Sequence, residues 1–309
     1  MFMNYTLHQL KVFLQITEYQ SVTKAAEALF LTQPAVSIQL KKLQEQFPIP
    51  LTEVVGRRLY VTDFGKEIAA AAEKILAEVE AINYQTMAYK NMLAGRLKLS
   101  IASTGKYVMP YFLAGFLNKH RGVDLIMDVT NKSLVVQSLE QNKVDFALVS
   151  VVPDQLKTHQ LTLLRNKLYL IGSTRLKNNK PKKTIKIFQE YPLLFRESGS
   201  ATRNVMEEFI AEKKLPVYKK MELTSNEAVK QAVIAGLGYS IMPLIGIRDA
   251  LNNKEVEIIP FKGLPITTHW NLVWNKAKKL SPIAQGYLDY LHEEKDRIVK
   301  NDFGWYEQY

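Results

Sequence analysis

Residues 21–37, SVTKAAEALFLTQPAVS, decide the reading of this chain. Ser21 is placed to N-cap a short helix whose buried stripe is Ala25, Ala26 and Leu29, ending near Phe30 and Leu31. Thr32-Gln33-Pro34 then opens a second helix, because threonine caps well and proline is tolerated in a first turn, where its missing N–H is not needed. Ala35, Val36, Leu40 and Leu43 form the inner face of that helix. Small side chains at Ala25 and Ala26 let the two helices cross closely, and two short helices joined by a turn of three to four residues make a helix-turn-helix.

Upstream, Leu7, Leu10, Phe13, Leu14 and Ile16 recur at helical spacing and predict a preceding helix. Downstream of Pro48 and Pro50, residues 51–55 and 59–62 flank Gly56-Arg57-Arg58, the pattern of a hairpin with a basic tip, or wing. Asp63 opens a helix running to about Leu93. Its residues Ile68, Ala72, Ile75, Val79, Ile82, Thr86, Tyr89 and Leu93 are spaced four and three apart in alternation, a heptad seam predicted to bury itself against the same helix of a second subunit. Beyond Gly95 strands alternate with helices: β-like at 97–102, 123–130, 145–151, 168–172, 191–195 and 272–274, helical at 107–120, 135–141, 201–214, 226–235 and 283–295. Such alternation predicts βαβ units on a parallel sheet. The aromatic tail from Asn301 to Tyr309 gives no reading.

The composition, 47% hydrophobic and 23% charged over 309 residues, is that of a folded chain of two or three domains. The absence of cysteine excludes disulfides, thiolate metal sites and cysteine nucleophiles together. No basic segment followed by an apolar run stands at the N-terminus, and the longest apolar stretch, 232–247, is interrupted by Gly236, Gly238 and Pro243. A cytoplasmic protein that does not enter the membrane is expected. Residues 1–92 carry nine basic and nine acidic side chains, so the formal net charge of +11 lies entirely in residues 93–309. That excess is either a solvated basic surface or an electropositive cleft for an anion.

Catalysis finds no support in the residues. His8, His120, His159, His269 and His292 are isolated, residues 235–238 lack the third glycine of a dinucleotide loop, and Glu197-Ser198-Gly199-Ser200-Ala201 does not fit the nucleophile elbow. The expectation is no enzyme, no metal and no cofactor. A solute-binding protein would share the fold of the second part, but the helix-turn-helix argues against it.

Four stretches together resemble the LysR-type transcriptional regulators over essentially the whole chain. They are 7–13 with 21–37, Leu59-Tyr60-Val61-Thr62, Glu197-Ser198-Gly199-Ser200-Ala201-Thr202-Arg203, and 235–243 (AGLGYSIMP). Residues 51–56, LTEVVG, resemble the branch containing regulators of carbon-fixation operons. The resemblance implies an α/β fold class: an N-terminal winged helix-turn-helix (1–62), a dimerising linker helix (63–93), and an effector-binding domain of periplasmic-binding-protein type (94–309). That domain divides into subdomain I, 94–165 with 268–309, and subdomain II, 166–267. A homodimer or homotetramer, double-stranded operator DNA, a small-molecule effector and RNA polymerase are the implied partners. Departures occur at Ile38, where the family often has arginine, at Pro48, often glycine, and at Thr52 and Val54, usually Phe and Arg.

Gln33, Pro34 and Ser37 lie on the first turns of the helix expected to enter the major groove N-terminus first, with Thr32 at its cap. Gln33 can pair bidentately with adenine, Ser37 can serve base or phosphate, and Ile38 can meet a thymine methyl. Thr23, Lys24, Lys41 and Lys42, with Arg57 and Arg58 in the wing, are assigned to the DNA backbone. In the second part, ligands of open α/β sheets sit at the carboxyl ends of strands. Ser103, Thr104, Ser150, Ser198, Ser200 and Thr202 place hydroxyls there, and Lys106 and Arg203 lie nearby. Hydroxyls at helix starts also serve simply as caps; as effector contacts they would suit a small anion.

Overall fold

The computed structural model describes residues 4–56, 58–88, 93–152, 156–175 and 185–309. The chain separates into two compact units meeting at Met92 and Leu93.

In the first unit, α1 (Leu7–Tyr19) starts at a capping box, in which the Thr6 hydroxyl accepts from the Gln9 N–H and the Gln9 side chain accepts from the Thr6 N–H. It buries Leu10, Val12, Phe13 and Ile16, while Leu7, expected inside, stands 45% exposed at the helix start. Ser21 caps α2 (Val22–Ala28) and Thr32 caps α3 (Gln33–Gln44), each hydroxyl accepting from the N–H three residues on. Val12, Ile16, Ala25, Ala26 and Val36 close the three helices on one another. β1 (Thr52–Val55) and β2 (Arg58–Val61) pair antiparallel across a turn in which Gly56 adopts φ +56°, a conformation glycine takes without a Cβ penalty. The Gln44 amide braces the approach to this wing, accepting from the Leu51 N–H and donating to the Ile49 carbonyl.

The linker helix α4 (Asp63–Ala88) divides the heptad seam. Ala72 is buried with Leu10, Phe13, Leu43 and Leu51, and Ile68 and Leu76 pack on the same cluster. Of the first two seam positions, Ala72 is therefore buried within its own domain and Ile68 half-buried there. Ile75 and Ile82 stand 39% and 62% exposed. Tyr89 lies outside the described residues.

The second unit is built on a seven-stranded sheet. Its axis is an antiparallel ribbon of β6 (Thr158–Ser173) and β11 (Ile266–Asn275), in register along ten pairs with one bulge between Trp270 and Asn271. One end of the ribbon carries the first lobe. There β5 (Phe146–Val149) pairs with β11 at Asn271 to Val273, and β3 (Ala94–Ala102) and β4 (Gly122–Thr130) follow outward. The other end carries β9 (Ser240–Pro243) and β10 (Val256–Ile258), each paired with β6 between Leu168 and Ser173. β7 (Pro192–Arg196) and β8 (Lys219–Leu223) form a separate parallel pair joined to β9 through a Leu193–Tyr239 bridge, completing the second lobe. The sheet is thus mixed, not parallel as the alternation of elements predicted. The βαβ pairs are parallel, but every pairing of β6 and β11 is antiparallel, because the chain passes from lobe to lobe once in each direction. The subdomain boundaries expected at 166 and 268 fall inside these two strands.

Helices α5 (Met109–Lys119), α6 (Lys132–Glu140) and α11 (Pro282–Phe303) belong to the first lobe. Short α7 (Lys186–Glu190), then α8 (Ala201–Glu212), α9 (Asn226–Ile234) and short α10 (Arg248–Asn252), belong to the second. One large core, with Phe112, Phe116, Phe146, Trp270 and Tyr287, runs under the first lobe and continues to Val233 and Met242. A second, around Phe188, Phe195 and Tyr239, lies within the second lobe. The tail that gave no reading is part of the fold. Phe303 and Tyr306 are buried in the large core, Arg248 stacks its guanidinium 4.5 Å from the Trp305 ring centre, and the Lys167 ammonium donates to the Tyr306 and Tyr309 carbonyls at 3.0 and 2.8 Å. Among the described residues no helix is long and apolar enough to cross a membrane.

Candidate DNA-reading face and effector cleft

Everything the sequence nominated on α3 stands at its surface. Thr32, Gln33, Pro34, Ile38, Lys41 and Lys42 are exposed, as are Thr23 and Lys24 at the start of α2, and Ser37 is half-buried. One amide hydrogen of Gln33 is donated to the Ser37 hydroxyl, Nε2 to Oγ 2.8 Å across one helical turn. This bond orients the amide while leaving Oε1 and the second hydrogen, the acceptor and donor a bidentate pairing with adenine requires. Ile38 presents a 52% exposed apolar side chain six residues after the cap. In the wing Arg58 is exposed on β2 opposite Val55; Arg57 lies outside the described residues.

In the second unit a narrow cleft opens at the carboxyl ends of strands from both lobes. Ser103 and Thr104 enter it after β3, Asn131 and Lys132 after β4, Ser150 after β5, and Arg196, Ser200 and Thr202 after β7, with Trp270 from the ribbon. Five of the eight nominated residues, Ser103, Thr104, Ser150, Ser200 and Thr202, therefore converge. Ser103, Thr104 and Ser200 do not serve as helix caps. The Ser200 side chain makes no cap bond to α8 although it is 4% exposed, and Ser103 and Thr104 belong to a turn capped by no side chain. Instead the Arg196 guanidinium donates to the Ser103 hydroxyl at 3.1 Å, and the Asn226 amide donates to Ser103 at 3.3 Å and to Thr104. These bonds join the lobes across the floor of the cleft. Beside them Tyr107 of the first lobe donates its hydroxyl to Glu227 of the second at 3.1 Å. Burial first, and the facing Glu227 carboxylate next, push the Tyr107 pKa up to about 12, so the phenol stays a donor throughout the neutral range.

Arg196 is the chemical centre of this constellation. It is 4% exposed at the end of β7, and its Nε and Nη2 both donate at 2.8 Å to the Glu197 carboxylate, a two-pronged pairing that offsets the cost of burying the charge. One hydrogen on each of Nη1 and Nη2 is left beyond the bonds to Glu197 and Ser103. At the mouth, Gly199, with φ +85°, lets the α8 loop approach α6 so closely that a Cβ would lie 2.7 Å from the Ser133 hydroxyl.

Three nominated residues stand elsewhere. Arg203 is one turn inside α8 and faces away: its guanidinium is held by Glu222 at 2.6 Å, Glu207 at 3.1 Å and the Arg196 carbonyl. The hydrogen bond to Glu222 is the first cause of its raised pKa. Lys106 is exposed, with its ammonium 5.0 Å from the Tyr107 ring centre, and Ser198 is exposed on the loop outside the cleft lining. Position near a helix start brought these three forward, but it does not tell which face of the turn a side chain takes. Arg196, Asn226, Asn131, Lys132 and Trp270 escaped the sequence. The one signal for Arg196 is a charge closing the apolar run Leu193-Leu194-Phe195.

Comparison with known proteins identifies both units. The family model for the bacterial regulatory helix-turn-helix protein, lysR family, matches residues 7–66, and the LysR substrate binding domain model matches 90–296. Over 300 residues the chain is 36% identical to the HTH-type transcriptional activator CmpR of Synechocystis sp., covering 96% of this chain and 99% of that one. It is 33% identical to the RuBisCO operon transcriptional regulator of Allochromatium vinosum, with 96% and 98% covered. These relatives bear out the carbon-fixation branch indicated by residues 51–56. Among solved structures, the Synechocystis PCC6803 CcmR regulatory domain in complex with 2-PG aligns with a TM-score of 0.60 at 29% identity, over 65% of this chain and 97% of that domain. The chain belongs to the LysR family of DNA-binding transcriptional regulators, and joins a lysR-type helix-turn-helix to an effector-binding α/β domain.

Proposed function

We propose that this regulator senses a small anion, with phosphate or carboxylate oxygens, in the cleft between its lobes, and that occupancy controls how its dimers or tetramers bind and bend operator DNA for RNA polymerase in the cytoplasm. The observation that carries the reading is the buried Arg196, ringed by the hydroxyls of Ser103, Thr104 and Ser200. Hydroxyl and guanidinium donors at strand ends match the acceptor-only surface of such an anion. The 2-PG bound to the CcmR regulatory domain supports the same class of ligand. The ligand acts by preferring one lobe arrangement over another. On DNA, Gln33 and Ser37 read base edges, Ile38 meets a thymine methyl, and Thr23, Lys24, Lys41 and Arg58 hold phosphates. The exposed Ile75 of α4 supplies the contact between subunits.

The test has two arms on the full chain. Fragmented genomic DNA is enriched on wild type, Gln33→Ala and Ser37→Ala at fixed salt; fragments sharing a dyad motif, lost in the variants, are expected. Calorimetric titration with 2-PG, then with simple dicarboxylates, is run on wild type and Arg196→Met. At least one is expected to bind wild type and to lose about a hundredfold in affinity without the guanidinium, the scale of a lost charge-assisted contact. Equal binding to both proteins would remove Arg196 from the site.

A further inference from the structure

Phe30 occupies the turn between α2 and α3 in a form that its own fold does not favour. Its φ is +55°, the left-handed region that a bulky L side chain rarely adopts. The turn is a Schellman closure of α2: the Phe30 N–H donates to the Glu27 carbonyl at 3.1 Å and the Leu31 N–H to the Ala26 carbonyl at 2.9 Å. Helices ending this way usually carry glycine, or asparagine, at the position Phe30 holds. The ring is 96% exposed, more than any other large apolar side chain among the described residues, so packing offsets neither the strained backbone nor the hydrated ring.

The surroundings indicate what such a ring meets. Phe30 stands two residues before the α3 cap, Thr32, and three before Gln33. Leu31 beside it is 36% exposed, and Ile38, on the first half of α3, is 52% exposed. Phe30 and Leu31 directly precede the N-terminal end of the helix assigned to the major groove. A duplex offers apolar surface there in thymine methyls and sugar carbons.

We propose that Phe30 is a DNA-contacting residue that covers an apolar edge of the operator next to the bases read by α3. The inference rests on the DNA-reading assignment of α3 and adds to it an uncharged anchor whose cost in the free protein is recovered on the duplex. The left-handed turn fixes the backbone from which the ring projects before DNA arrives.

The experiment compares full-length wild type with Phe30→Gly and Phe30→Asn, the two residues best suited to the turn. Thermal melting and fluorescence anisotropy on the genomic fragment most enriched by wild type are measured over a salt series, with Gln33→Ala and Lys41→Ala alongside. Both Phe30 variants are expected to melt at or above the wild-type temperature and to bind about tenfold more weakly, the scale of exposing part of an aromatic ring. The slope of log affinity against log salt should stay that of wild type, because no charge is removed, whereas Lys41→Ala lowers it by about one counterion. Wild-type affinity in both variants overturns the proposal. So does wild-type affinity with lost activation in a reconstituted transcription assay, which would assign the ring to polymerase, and so does a drop in melting temperature, which would assign it to the fold. If wild type and Gln33→Ala select the same fragments, the α3 assignment itself falls and takes this inference with it.

Discussion

Ser200 and Arg196 face the same cleft and differ in what they do for the fold. The Ser200 hydroxyl caps nothing, so Ser200→Ala should leave stability within about 0.5 kcal/mol of wild type while weakening effector binding, whereas loss of a working N-cap serine costs about 1 kcal/mol. Arg196→Met removes the partner of the Glu197 carboxylate, whose side chain is 17% exposed, and should destabilise by about 2 kcal/mol, less than a fully buried pair because water still reaches Glu197. Urea unfolding of both variants with and without 2-PG separates the two kinds of loss. The same pair shows what could be read in advance. Ser200 was legible because a hydroxyl at a strand-to-helix junction is a local pattern. Arg196 was not, since a lone charge ending an apolar run reads as the edge of a strand, and only the fold brings Ser103, 93 residues away, onto it. Arg203 is the converse error: right in sequence position, but turned to Glu207 and Glu222 by the helix face it occupies.

Among the elements, α4 contains the sharpest contrast. Its seam, continuous in sequence, drifts by about 20° per heptad and is divided between an own-domain face at Ile68 and Ala72, flanked by Leu76, and an outward face at Ile75. Ala72→Glu, burying a charge against Leu10 and Phe13, should unfold the helix-turn-helix. Ile75→Glu should leave that domain folded and shift the assembly toward monomer, with circular dichroism and sedimentation as the paired readouts. The starts of α2 and α3 were legible to the residue because each carries its own start signal, Ser21 or Thr32, whereas α1 was read from its apolar spacing and its capping box at Thr6 went unread. In the second lobe β8, β9 and β10 are three to five residues long and went unread, because such short strands carry too few side chains to show a period and are defined by the neighbours they pair with.

At the scale of the molecule, the excess of positive charge belongs to the second unit, where, among the described residues, Arg196 and Lys132 line the cleft and no carboxylate does. The tail reinforces that unit. Tyr306, 2% exposed, closes the large core, and Tyr306→Ala should cost about 3 kcal/mol, seen as a lower unfolding midpoint for a residue whose neighbours in sequence gave no hint of burial. Lys167, which grips the tail carbonyls, sits on β6 where that strand passes between lobes. The ribbon of β6 and β11 thereby gains a mechanical character. Two strands clipped together by a ladder cannot slide past each other, yet they twist with little loss of hydrogen bonding, so the lobes are joined by a torsion spring rather than a loose hinge. Closure on an effector then breaks no backbone bond and belongs to the microsecond-to-millisecond class of domain motions.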